Sequence, residues 1–366
     1  WQKQPLLIRN PWRAWRNPIE PDELAGLACE EGIESRLVIQ SGDSWALEHG
    51  PFAEDRFAPL GASPWTLLVQ AVDHHAPDVA ALLAPFRFIP DWRIDDVMVS
   101  YATDGGGVGP HFDQYDVFLI QGLGQRRWRV GPRCASDTPL RPHADLRLLP
   151  DFQATGEWVL DPGDILYVPP GFAHDGVAVG DDCMTYSVGF RAPARPDLLV
   201  EWADHCAAQM ADDALYADPD LRPAAHPGEI APAAIDRLHA MTIDALQDRD
   251  AFAAWFGQHV TTPKYPDADW RPDAPFTAAD VGALLAEGAT LLRNPASRIA
   301  FLRRGEDLLL FADGAAFPCA ADVAALAERL SAQDQLVLAP AMAPGADLLA
   351  ALLNQGSLLV EEPDED

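Results

Sequence analysis

From residue 1 to about 195, short apolar runs alternate with turn-forming residues. Arg93 to Tyr101 (RIDDVMVSY) alternates polar and apolar positions, the period of a half-buried strand. Gln114 to Gln121 and Gln125 to Val130 flank Gly122-Leu123-Gly124, a pattern that predicts a hairpin. Trp158 to Leu160, Ile165 to Val168 and Met184 to Phe190 are expected as further strands. Many short strands joined by Gly/Pro turns predict a sandwich or barrel, here a jelly roll. Pro21 to Glu30 and Trp65 to Leu83 are expected as helices packed outside it.

After Pro196 the composition turns to alanine, leucine and acids. Asp197 to Leu215 and Pro232 to His259 are predicted helices. Ile235, Leu238, Met241 and Ala245 recur at helical spacing and form one apolar stripe. So small a helical segment needs a partner surface, either a second copy or the barrel. Pro263 to Pro275 (PKYPDADWRPDAP) is proline-rich and polar, the composition of a linker. Beyond it the order is helix (Ala278 to Glu287, capped by Thr277 and Asp280), two strands (Ile299 to Arg303, Leu308 to Phe311), two helices (Ala321 to Ser331, Ala346 to Leu353) and a last strand (Leu358 to Val360). This is a winged-helix order. A helix that reads DNA should be basic, and Val323 to Leu330 offers only Arg329, so the module is expected to contact protein or to stabilise the chain. The fold class expected is α+β, in three parts: 1–195, 196–270 and 271–366.

The 366 residues carry a net charge of −30, and Lys3 and Lys264 are the only lysines. Such a chain repels nucleic acid and anionic membranes and suits a basic protein partner. Five scattered cysteines (Cys29, Cys134, Cys183, Cys206, Cys319) form no CxxC pair, which fits a reducing cytosol better than a disulfide scaffold. No apolar stretch is long enough for a membrane span and no signal peptide is visible, so a cytoplasmic location is expected.

Candidate chemistry concentrates at His111-Phe112-Asp113. Residues two apart in a strand share a face, so His111 and Asp113 aim an imidazole and a carboxylate at one point. His174 follows the turn-strand-turn run DPGDILYVPPGFAH (161–174). Two histidines and one aspartate make the facial triad of non-haem Fe(II) oxygenases, which leaves positions open for a co-substrate and O₂. The two further electrons such chemistry needs commonly come from 2-oxoglutarate, whose remote carboxylate wants a buried arginine. In Gln125 to Val130 (QRRWRV), alternation groups Arg126 with Trp128 and Val130, and Arg127 with Arg129; if the apolar face points inward, Arg126 is the inward cation. Asp96, Met98 and Ser100 share the other face of their strand, a lining that suits a cationic side chain or a co-substrate carboxylate beside Ser100. Tyr115, on the ligand face two residues past Asp113, and Tyr186 and Ser187 are further candidates. Gly105 to Gly109 lacks the lysine of a phosphate loop and is expected to be a flexible entrance loop. His74, His75, His143, His205, His226 and His239 are expected not to be ligands.

At HFDQYDVF (111–118) and DPGDILYVPPGFAH (161–174) the chain resembles the bacterial JmjC-type ribosomal oxygenases. WRIDDVM (92–98), GVGPH (107–111), RWRVG (127–131), YSVGFRAP (186–193) and WQKQP (1–5) extend the likeness over nearly the whole chain. The resemblance implies a double-stranded β-helix (JmjC, cupin) barrel, a helical dimerisation region and a C-terminal winged helix. It implies a hydroxylase dependent on Fe(II), 2-oxoglutarate and O₂. The bacterial branch acts on an arginine β-carbon of a large-subunit ribosomal protein. Carried over by position, the metal ligands are His111, Asp113 and His174. Arg126 and Ser100 meet 2-oxoglutarate, while Asp96, Met98, Tyr115 and Ser187 meet the substrate arginine. Ala102 departs mildly from relatives that carry a hydroxyl in that segment, which puts the pocket rim in doubt. Competing readings are a metal-binding cupin without chemistry, a ribosome-assembly adaptor with a vestigial pocket, and a histidyl hydroxylase or N-methyl demethylase of the same class.

Overall fold

The computed structural model describes residues 1–361 apart from positions 43, 62, 144, 151 and 224. The chain forms two compact units: one of residues 1–192 with 264–270 and 294–296, the other of the remaining segments from 193 on. No helix among the described residues is long and apolar enough to cross a membrane.

In chain order the first unit contains β1 (Leu6–Ile8), α1 (Pro21–Leu27), β2 (Ser35–Ser41), β3 (Ser44–His49), β4 (Trp65–Val69), α2 (Pro77–Ala80), β5 (Ile94–Ala102), β6 (Asp116–Arg133), β7 (Gly156–Leu160), β8 (Ile165–Val168) and β9 (Phe172–Phe190). One antiparallel sheet runs β1-β8-β6-β9-β5-β4-β2-β3, with β7 paired to the far half of β6. Its spine is the pair β6 and β9, bonded from Asp116↔Phe190 to Arg133↔Phe172. This is the double-stranded β-helix, with its ends joined as a jelly roll.

Alternation decides what each face holds. Val97 and Val99 of β5 lie in the main apolar core with Tyr186, Val188 and Phe190 of β9. The opposite face is buried too, but polar. Met98, Ser187 and Leu119 form one cross-strand row there, and Ser100, Thr185 and Gln121 the next. Ser100, Thr185, Gln121 and Ser187 are all buried. Part of this face is satisfied internally, as Thr185 Oγ1 donates to Gln121 Oε1 at 3.2 Å.

Three expectations are corrected here. Trp65 to Val69 is not helical: it is the central strand β4, between β2 and β5 and buried at every position. A strand covered on both faces reads as a continuous apolar run, which looks the same as a buried helix. Gly122-Leu123-Gly124 is not a hairpin: β6 runs straight through it, with register shifts on either side of Leu123. Gly105 to Gly109 is not a flexible entrance loop. Its backbone bonds to β9 through Gly105 N to Ala178 O and Ala178 N to Gly106 O. A Cβ on Gly107 would lie 2.5 Å from Gly176 O, so the close approach needs glycine.

The second unit contains α3 (Arg195–Ala208), α4 (Pro232–Leu246), α5 (Arg249–Thr261), α6 (Ala278–Glu287), β10 (Thr290–Arg293), β11 (Ile299–Arg304), β12 (Asp307–Ala312), β13 (Ala315–Cys319), α7 (Ala321–Ala332), β14 (Gln335–Val337), α8 (Ala346–Gln355) and β15 (Leu358–Val360). The predicted helix from 232 to 259 is broken, because Asp248 caps α5 by accepting from the amides of Asp250 and Ala251. Thr277 and Asp280 form the capping box of α6. Two three-stranded sheets, β14-β10-β15 and β11-β12-β13, share one apolar core with α6, α7 and α8 in a winged-helix arrangement.

Candidate active site

Backbone pairing brings the ligand set together. His111 forms an isolated antiparallel bridge with His174. The amide of Gly171 donates to the carbonyl of Asp113 at 2.6 Å, tying the loop after β8 to the aspartate. His111 Nε2 lies 3.8 Å from Asp113 Oδ2, and His174 Nε2 lies 3.5 Å from it. One ligand atom from each of the three residues falls within 4.8 Å of the others, and among the described residues no other such cluster of His, Cys, Asp and Glu occurs.

The imidazoles are oriented for metal by their other nitrogens. His111 Nδ1 lies 2.8 Å from Gly109 O, and His174 Nδ1 lies 3.0 Å from Phe172 O. A carbonyl can only accept, so each Nδ1 carries the proton and each Nε2 keeps its lone pair toward Asp113. Burial, and the His111 ring beside it, lower the pKa of His174, which keeps the ring neutral and ready to ligate. Two nitrogens and one oxygen on one side of a point is the donor set of a facial Fe(II) site.

Arg126 supplies the second part of the site. It lies inside the barrel with Trp128 and Val130, and the residue is 4% exposed. Its Nη1 reaches Gly176 O at 3.3 Å, two residues beyond His174 on β9. Nε and Nη2 are buried without a hydrogen-bond partner among the described residues. A buried guanidinium edge left bare is costly, and a carboxylate meets it with two parallel bonds. The residues present therefore fit a dicarboxylate co-substrate. Ser100 lies on the same buried face, its hydroxyl held only by a 3.5 Å contact to Thr185 O. Arg127 and Arg129 take the outer face, where Arg129 pairs with Asp175 and Arg127 with Glu157.

The remaining candidates divide. Met98 and Ser187 are cross-strand neighbours on the inner face. Tyr115 is 44% exposed; burial of its hydroxyl, then the nearby Asp113 charge, hold the phenol protonated. Tyr186 turns the other way, into the core, and its hydroxyl donates to Asn17 Oδ1 at 2.9 Å. Asp96 is buried but already engaged: its Oδ2 accepts from Gln70 Nε2 at 2.6 Å, from the Ala71 amide at 3.0 Å and from Lys264 Nζ at 2.9 Å. Lys264 escaped sequence reasoning, because it sits in an apparent linker far along the chain. Its one visible signal was its rarity among arginines. Arg36, whose Nη2 lies 3.7 Å from Met98 Sδ, was also missed.

Known proteins give the site a context. Residues 81–198 match the JmjC domain, residues 244–359 the ROXA-like winged helix, and residues 154–246 the AraC-like ligand binding domain. The ribosomal protein uL16 3-hydroxylase of Escherichia coli is 42% identical over 308 residues, covering 84% of this chain and 81% of that protein. The X-ray structure of E. coli YcfD superposes with a TM-score of 0.89 at 39% identity, covering 99% of this chain and 96% of that one. A structure of E. coli YcfD, a ribosomal oxygenase, in complex with cobalt and 2-oxoglutarate superposes with a TM-score of 0.86 at 38% identity and the same coverage. At that identity, over nearly the full length of both chains, this chain belongs to the JmjC-type ribosomal oxygenases.

Proposed function

We propose that this protein hydroxylates the β-carbon of an arginine side chain in the large-subunit ribosomal protein uL16. The enzyme is an Fe(II)- and 2-oxoglutarate-dependent oxygenase. The observation that carries this reading is the pairing of a two-His, one-Asp cluster with a buried guanidinium edge at Arg126 that has no partner among the described residues. When bound, iron with 2-oxoglutarate and O₂ supplies the oxidation: the co-substrate becomes succinate and CO₂, and one oxygen atom enters the substrate C–H bond.

The chain's own residues do the positioning. His111, Asp113 and His174 hold the metal, with the Gly109 and Phe172 carbonyls fixing the two rings. Arg126 grips the remote carboxylate in the buried barrel interior, and Ser100 adds a hydroxyl beside it. Asp96, Met98, Ser187 and Tyr115 hold the substrate side chain, so that its target C–H is presented at short range. A carboxylate, a thioether and a hydroxyl suit a guanidinium. A methylated ammonium needs aromatic walls instead, which favours arginine hydroxylation over demethylation. The charge of −30 favours encounter with a basic ribosomal protein.

The helices of residues 196–270 pair two copies of the chain in this reading. Leu199 and Val200 on α3 and Ile235, Leu238 and Met241 on α4 are exposed apolar side chains. A sedimentation measurement returning the monomer mass would remove that part. The three-part division 1–195, 196–270 and 271–366 and a cytoplasmic location complete the proposal.

The central test is intact-mass analysis of uL16 incubated with the protein, Fe(II), 2-oxoglutarate and O₂. A gain of one oxygen atom that requires all components is expected, with the site located on an arginine by fragmentation. Unmodified uL16, with ribosome co-sedimentation that survives His111→Ala, would favour the adaptor reading instead.

A further inference from the structure

Lys264 is one of only two lysines in the chain, and its side chain is 18% exposed. Its Nζ lies 2.9 Å from Asp96 Oδ2 and 3.0 Å from Asp95 Oδ2. Burial works against the ammonium, yet the two carboxylates more than offset it, and its pKa stands above the ordinary lysine value. The segment carrying it, 264–270, packs within the barrel unit. Tyr265 next to it stacks edge-on against His74 and donates to Glu34 Oε2 at 3.2 Å. The contact is therefore built in and not a chance touch of a mobile linker.

The three donors to Asp96 all converge on one oxygen. Gln70 Nε2, the Ala71 amide and Lys264 Nζ each meet Oδ2. The other oxygen, Oδ1, faces Gly189, where an added Cβ would lie 3.7 Å away. Gly189 shares the inward face of β9 with Ser187. One oxygen is thus clamped from behind, and the other is presented on the face assigned to substrate.

We propose that Lys264 is a positioning residue for substrate recognition: it clamps Asp96 so that Oδ1 is presented to one incoming cationic side chain. The proposal rests on the reading of Asp96 as the substrate's acidic contact. Arg36 is a second cation bordering this face, its Nη2 3.1 Å from Gln70 Oε1 and 3.7 Å from Met98 Sδ. Without Lys264, Oδ2 loses one of its three donors and the carboxylate is held less firmly with Oδ1 toward the pocket.

Three full-length variants, loaded with Fe(II) and 2-oxoglutarate and assayed on purified uL16, test this. Lys264→Met should raise KM for uL16 by roughly 30-fold or more, as loss of a buried charge partner does, with the effect falling on KM more than on kcat. Lys264→Arg should restore most of the affinity, which also shows that the fold survives change at this position. If Asp96→Asn leaves KM unchanged, the reading of Asp96 is wrong. If Asp96→Asn raises KM while Lys264→Met leaves it unchanged or lowers it, the reading stands and the role of Lys264 is overturned. A lowered KM would mark Lys264 as a competitor for the pocket.

Discussion

His111 and His174 bond each other's backbone in both directions, amide to carbonyl, at 3.0 and 2.8 Å. The two imidazoles are thereby set side by side, with ring centres 4.3 Å apart. Backbone pairing holds the segments together, so losing one ligand should remove metal affinity without removing the fold. His174→Ala is expected to lower Fe(II) affinity and 2-oxoglutarate turnover by roughly 100-fold or more, since even residues that merely support metal ligands cost 10- to 100-fold. Calorimetric metal titration alongside circular dichroism checks this. Wild-type metal affinity in a folded variant would contradict it.

Arg126 makes a prediction that needs no turnover. Its Nε and Nη2 are buried, with no hydrogen-bond partner among the described residues. Replacing a buried cation with an apolar side chain of similar length should stabilise the ligand-free protein, as happens when buried ion pairs give way to packed hydrophobes. Arg126→Met should therefore melt higher than wild type without 2-oxoglutarate, and should lose the upward shift in Tm that 2-oxoglutarate gives the wild type. Arg126→Lys should keep part of that shift, because it retains the charge but not the two-pronged geometry. Thermal melts with and without the co-substrate decide it.

Asp73 ties stability to pH. Its carboxyl is buried and accepts the Val97 amide at 2.8 Å. Burial, followed by the charge of Asp96, pushes its pKa up to about 7 against the opposing pull of Val97 N–H and Lys264. A carboxyl with a raised folded pKa binds more protons folded than unfolded between its ordinary value of 3.8 and about 7. Its contribution is complete below the lower value and is lost as pH rises through the upper one. Asp73→Asn keeps the acceptor for Val97 and removes the titration. Urea midpoints for this variant should fall less than those of wild type between pH 5 and 7.5. Parallel curves would show that Asp73 is ionised throughout.

Much of the site could be read from local spacing. His111 and Asp113 are two residues apart, and the QRRWRV alternation separates Arg126 from its neighbours by a period that any strand obeys. What escaped had no local signature. β4 is apolar at nearly every position because both its faces are covered, so it carries no period at all. β1, β2 and β3 lie at or near the sheet's edges, and their patterns are short or mixed. Lys264 reaches Asp96 across 168 residues, a contact set by tertiary packing that no window of sequence contains.

Gly122 shows the same limit in testable form. Two glycines around one leucine announce a turn when only neighbours along the chain are considered. In the folded protein β6 continues, and the glycine is there because Tyr186 packs against it: a Cβ on Gly122 would stand 2.3 Å from Tyr186 Cε2 and 2.7 Å from Asn17 Oδ1. Tyr186 is fully buried and its hydroxyl is held by Asn17, so neither group can easily withdraw. A hairpin turn would accept alanine at this position with little loss; a packed bulge would not. Gly122→Ala is expected to destabilise the protein by about 1–3 kcal/mol, the range for forcing a methyl into a filled core. Tyr186→Phe gives a useful contrast: it removes only the hydroxyl, and with it the bond to Asn17, for about 1 kcal/mol. Because the two sites touch, the pair should couple, and the double variant Gly122→Ala/Tyr186→Leu should recover part of the loss as the smaller ring-free side chain makes room. Denaturant midpoints of the single and double variants measure that coupling. Strict additivity would mean that the methyl and the ring do not meet.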